Sequence, residues 1–143
     1  MKKSASVYLR KADGVYVIPQ GVTTQGFSYE TEPFEYLPGD PTAENVWAAI
    51  KKALSNANRV VPHPSSWEQE TAWYRRAGVK TWRQFASKAK SLQINEAGIE
   101  FEFKVLHWEE GSFVGRREDV FRIQKDASMM EIEALLKQCF SRA

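Results

Sequence analysis

Three observations predict an α+β fold with a mainly antiparallel sheet: a strand–turn–strand pattern that occurs twice, an amphipathic helix closing each copy, and a chain length that suits one core. Residues 6–18, SVYLRKADGVYVI, and residues 91–103, SLQINEAGIEFEF, both read as hairpins around a tight turn containing glycine, the second turn one residue shorter. The helical patterns AAIKKALSNANR and ALLKQCFSRA follow, so Ser6–Ser55 and Ser91–Ser141 run to 50 and 51 residues. Two copies are too few for a solenoid and predict pseudo-duplicated halves, units 6–55 and 91–141, within a single domain spanning 1–143. A chain of 143 residues with 43% hydrophobic side chains can remove roughly 68–70% of its unfolded surface from water, enough for one core.

Each element has a local reason. After the first hairpin, residues 22–38 lack a sustained period and read as a long loop with one edge strand around 34–37. Asp40 is placed to cap the first long helix with Pro41 at its first position, and Val46, Trp47, Ile50 and Leu54 then fall on one face. The connector 56–90 carries three of the five tryptophans and two capping-box spacings, Ser66 with Gln69 and Thr81 with Gln84, separated by Gly78. Two short helices are expected there. In the second hairpin Ile99, Phe101, Phe103 and Val105 alternate with Glu100, Glu102 and Lys104, the period of a strand with one dry face. Short strands are expected at 113–115 and 120–124. The last helix opens on the capping box Ser128/Glu131 and repeats Ile132, Leu135, Leu136 and Cys139 at helical spacing.

Composition excludes several classes of protein. A single cysteine rules out an internal disulfide or a multi-cysteine metal site and suits a reducing compartment, so the expected location is cytoplasmic. No apolar h-region follows the N-terminal lysines, and no run reaches the length of a membrane span. The net charge of +2 does not by itself call for nucleic acid or a membrane surface, yet the charge is polarised. Residues 25–45 hold five acids and no base, whereas residues 71–91 hold six bases and no acid.

No catalytic constellation stands out. Cys139 lies on an apolar stripe, where a thiol behaves as a small hydrophobe. His63 sits between prolines and His107 precedes Trp108, neither with a ligand or base partner at turn or helix spacing. Gly21 and Gly26 lack the Lys and Ser or Thr of a P-loop and are expected in turns, and Glu109–Glu110 reads as a solvated turn. Catalytic residues, cofactors, metals and a small-molecule substrate are therefore not expected.

Two segments have the composition of binding surfaces. In FSYETEPFEYLPGD, residues 27–40, the aromatic residues Tyr29, Phe34 and Tyr36 interleave with Glu30, Glu32, Glu35 and Asp40, a pattern suited to anchoring and steering a basic partner. The competing reading makes the aromatics a cover for a sheet edge and the acids its solvated side. In residues 73–90, Arg75, Arg76, Lys80 and Arg83 interleave with Trp73, Trp82 and Phe85, as in proteins that stack on single-stranded nucleic acid. The favoured alternative there is a buried aromatic stripe under a solvated basic face.

One resemblance adds to these readings. GVYVIP after the first strand, the ENVWAAIKKALSNANR helix followed by proline, RAGVKTWRQFASKAKSLQI, the second hairpin and the terminal EIEALLKQCFSRA helix are similar to bacterial immunity proteins of contact-dependent growth inhibition systems. The likeness runs from about Val7 to Arg142 and belongs to a branch of small two-half proteins formerly of unknown function. It implies a stoichiometric inhibitor with no chemistry of its own, whose partner is the C-terminal toxin domain of a cognate effector, often a nuclease. A basic substrate groove on such a toxin would meet the acidic segment. An acidic toxin surface would instead meet the Arg75–Lys90 face.

Overall fold

The period-two patterns become a sheet with two unlike covers. The computed structural model describes residues 2–63 and 72–143. Strands β1 (Lys3–Arg10) and β2 (Gly14–Thr23) form the first hairpin, and β6 (Ala89–Ala97) and β7 (Glu100–Glu109) form the second. Their turns hold three and two residues, as the spacing requires. β1 and β6 pair antiparallel at the centre, with Val7 opposite Leu92, and with β3 (Ser28–Glu30) and β8 (Ser112–Gln124) at the edges the order runs β3-β2-β1-β6-β7-β8. One hairpin thus extends to each side of the central pair.

The edges differ from expectation. The edge strand expected around 34–37 is present as β4 (Glu35–Pro38), paired with β2, but the rest of 22–38 is less of a loop than expected: β2 continues to Thr23, and the short strand β3 also pairs with it. Strand β5 (Val60–Val61) pairs with β2 in parallel. Gly21 lies inside β2 rather than in a turn, because a Cβ there would stand 2.6 Å from the Arg59 carbonyl and 2.7 Å from Thr31 Cγ2. On the far edge the two expected strands are one, β8 (Ser112–Gln124), whose register on β7 breaks between Leu106–Gly115 and Lys104–Val120. That bulge, at 116–119, is the gap that the sequence pattern shows.

Helix α1 (Ala43–Ser55) is capped by Thr42, whose hydroxyl accepts from the Asn45 N–H at 3.2 Å. Asp40 is not the cap, since the helix begins two residues later than Pro41 suggests. Helix α3 (Met129–Arg142) opens on the expected Ser128/Glu131 capping box. Between them, among the described residues, lie a 3-10 helix (Ala72–Ala77) and α2 (Trp82–Ala86), the latter with the Thr81/Gln84 box. The Ser66/Gln69 pair and the side chain of Trp73 lie outside the described residues. Ile99 is not part of β7: it occupies the two-residue turn and is 75% exposed, because pairing resumes only at Glu100.

Alternation divides the core in two. Val7, Val15, Val17, Leu92, Ile94, Phe103 and Val105 face α1 and α3, where Val46, Trp47, Ile50, Leu54, Ile132, Leu136 and Cys139 complete a mostly aliphatic cluster. Tyr8, Tyr16 and Ile18 face the other way and pack with Tyr74 and Phe85 of the connector. Removing these side chains from water supplies roughly 25 cal/mol per Å² of apolar surface, and the helices are held to the sheet chiefly by that.

Candidate functional site

The acidic segment does not form one surface, because β4 is a strand and its side chains alternate. Glu35 points to the helix side and meets Lys52 of α1 at 2.7 Å. Tyr36 points to the connector side, with its ring 4.8 Å from that of Tyr16 and its hydroxyl donating to the Asp13 carbonyl at 2.8 Å. Phe34 packs on the same side, half-buried. Glu30, at the end of β3, accepts a hydrogen bond from the Tyr8 hydroxyl at 2.7 Å. Burial raises the Glu30 carboxyl, with the bonds from Tyr8 and Ser6 opposing the shift. Burial and the Glu30 charge push the Tyr8 phenol well above its usual range. Tyr29 lies opposite Gly21, half-buried, while Glu32 and Asp40 are exposed.

The basic segment adjoins the acidic one. Arg76 stands over the Tyr36 ring, its guanidinium carbon 5.1 Å from the centroid, so the two opposite charge runs share a rim. Arg75, Lys80 and Arg83 are exposed. Arg83 lies against the β7–β8 turn, where a Cβ on Gly111 would stand 2.8 Å from its Nη2. Two of the aromatic residues among these bases, Trp82 and Phe85, are turned inward. Phe85 is fully buried, and Trp82 lies 5.6 Å from Phe85 and 5.5 Å from Tyr8 between ring centroids. Rings so enclosed serve the core, and among the described residues the segment's charges stand at the surface without an exposed ring beside them.

Groups with catalytic potential are engaged structurally. Burial pushes the Cys139 thiol to about 12, far from a reactive thiolate. His107 Nε2 lies 2.7 Å from Asp119, a carboxylate on which Arg142 of α3 also converges at 2.6 Å. Asp119 is buried, and its bonds to His107 and Arg142 hold it below the usual carboxylate range. His63 Nδ1 is 3.1 Å from the Thr23 hydroxyl. Glu109 pairs with Arg116 beside the turn. Among the described residues no three His, Cys, Asp or Glu side chains are grouped to hold a metal ion, and no helix is long and apolar enough to cross a membrane.

Sequence reasoning missed the Tyr8–Glu30 and Glu35–Lys52 pairs, which join positions 22 and 17 residues apart. Alternation across 34–37 was the available signal for the division of the acidic segment. The Asp119 cluster joins β7, β8 and α3 and leaves no such trace.

An α+β domain of this topology is shared with solved structures. The chain is similar over its whole length to a protein of unknown function from Neisseria meningitidis, with 18% identity, a TM-score of 0.72 and 96% of that chain covered. It is equally similar to a chain from the CdiA-CT/CdiI toxin and immunity complex of Yersinia pseudotuberculosis, with 18% identity, a TM-score of 0.73 and 98% of that chain covered. At this identity the likeness is one of fold. No protein-family model and no curated protein matches the sequence.

Proposed function

We propose that this protein is an immunity protein: a cytoplasmic, non-enzymatic, stoichiometric inhibitor of the C-terminal toxin domain of a contact-dependent inhibition effector. The observation that carries the reading is the end-to-end agreement in fold with a chain from a toxin and immunity complex. The burial of the thiol, and the engagement of both histidines and the buried carboxylate by structural partners, support an inhibitor that makes no bonds.

The proposed contact region is the sheet edge that carries Tyr29, Glu30, Glu32, Phe34, Glu35, Tyr36 and Asp40, with side chains on both faces of the sheet. Within it the roles divide: Glu32 and Asp40 are exposed and steer, Phe34 and Tyr36 present half-buried rings, and Glu30 and Glu35 hold the edge to β1 and α1. Co-expression with the toxin domain encoded directly upstream should protect cells and give a one-to-one complex on sizing. Reversing charge at Glu32 and Asp40 together should slow association about tenfold at low salt while leaving the melting temperature unchanged. Absence of protection and of a complex would refute the proposal.

A second reading takes Arg75, Arg76, Lys80 and Arg83 as a nucleic-acid surface, favoured by their exposure and by the lack of acids in residues 71–91. It requires retention of RNA that falls steeply with salt and weakens on Arg83→Glu. The inward-facing Trp82 and Phe85 weigh against it.

A further inference from the structure

The charged edge lies on one flank of α1; its other flank carries a feature of different chemistry. Lys52 turns toward Glu35, but the adjacent Lys51 lines a cavity of about 270 Å³ between α1, β7 and the start of α3. Trp47, Phe101, Met129 and Ile132 form its apolar walls, with Trp47 and Phe101 edge to face at 5.0 Å. Lys51 and Lys125 are the charged residues of its lining among the described residues. Lys125 lies 6.0 Å from the Phe101 centroid and pairs with Glu96 at 3.1 Å, whereas Lys51 is exposed and makes no ion pair among the described residues.

Two uncovered apolar residues neighbour the cavity lining: Met130 follows Met129 in the chain, and Ile99 is bonded through its carbonyl to Lys125. Met130, in the first turn of α3, is 80% exposed, and Ile99 is 75% exposed, the highest values for large hydrophobic residues among those described. The Lys125 N–H donates to the Ile99 carbonyl at 2.9 Å, which fixes the β6–β7 turn beside the cavity. Solvated apolar groups around an aromatic-walled recess are the usual setting of a binding anchor. The recess is smaller than the roughly 300–1,000 Å³ of small-molecule sites and suits one side chain. With Lys125 held by Glu96 and no acid among the described lining residues, Lys51 is the cation that selects a carboxylate at the mouth of the recess.

We propose that this recess is a second docking point for the toxin, taking one aromatic or aliphatic toxin side chain with an adjacent carboxylate that pairs with Lys51. The inference rests on the immunity reading and names a contact that the acidic edge does not supply. Steering and anchoring are thus divided between the two flanks of α1.

The test measures binding of the full chain to the toxin domain encoded upstream, together with thermal unfolding of each variant. Lys51→Glu with Met130→Glu alters only exposed positions, and Ala127→Leu fills the recess from its rim. The first variant should bind at least about tenfold more weakly with an unchanged melting temperature, and the second should weaken binding without reversing a charge. Lys51→Arg should bind as the wild type does. If the wild type binds and the Lys51→Glu/Met130→Glu variant binds equally well, the docking point is refuted and the immunity reading stands. If the wild type neither binds nor protects, both fall.

Discussion

Under α1 and α3 the sheet presents valine, leucine, isoleucine and phenylalanine side chains, whereas under the connector it presents Tyr8, Tyr16 and Tyr36, of which Tyr8 and Tyr36 donate their hydroxyls to Glu30 and the Asp13 carbonyl. The aliphatic side needs only volume and burial, and its contacts carry no direction beyond close packing. On the tyrosine side, Tyr8 ties β1 to Glu30 of β3 and Tyr36 ties β4 to the β1–β2 turn, so the same rings that bury area also set where the acidic edge lies. The difference teaches that stability and the placement of the proposed binding edge reside on opposite faces of one sheet.

Substitutions can separate those roles. Phe103→Ala, at a fully buried position on the helix side, should cost about 3–5 kcal/mol and lower the denaturation midpoint of the whole chain. An equal loss from an exposed position such as Arg75→Ala would erase the contrast. Tyr8→Phe should cost less, about 1–3 kcal/mol, because it keeps the ring and removes only the donor to Glu30. Its particular signature is faster amide exchange in β3, with the α1 and α3 amides still protected.

The smallest effect is in pH dependence, where one carboxylate on each face shifts in the opposite sense. Asp119, on the helix side, has a depressed folded value, so its contribution is complete above the ordinary Asp range and is lost as pH falls through the folded value. Glu30, on the connector side, has a raised folded value, so the folded state gains as pH falls through that value toward the ordinary Glu range. Thermal melts should therefore show a slight gain below neutrality and then a loss in stronger acid. Glu30→Gln should remove the gain, and Asp119→Asn should flatten the loss; an unchanged profile in either variant would assign that slope to other groups.

Much of the architecture was legible because it depends on short-range rules. Both hairpins, the two capping boxes at Thr81 and Ser128, and the apolar stripes of α1 and α3 follow from periods and spacings within a dozen residues. Position 99 misled because an apolar residue that continues a period-two pattern can equally end a tight turn. The Asp40 reading failed because Thr42, two residues on, satisfies the same capping rule. The acidic segment was readable as charged and aromatic, but the pairing of β3 and β4 with β2 divides it between two faces, and that pairing depends on strand register.

Composition, periodicity and caps by themselves determined an α+β chain with two hairpins, capped amphipathic helices, a buried thiol and opposite charge runs, since each is a property of neighbouring residues. Only the tertiary structure decided that Arg76 meets Tyr36, that Glu30 is claimed by Tyr8, and that Lys51 and Lys52 turn to opposite flanks of one helix. Those outcomes depend on which strands lie side by side. Strand order is set by burial summed over the whole sheet, and no local window contains that sum.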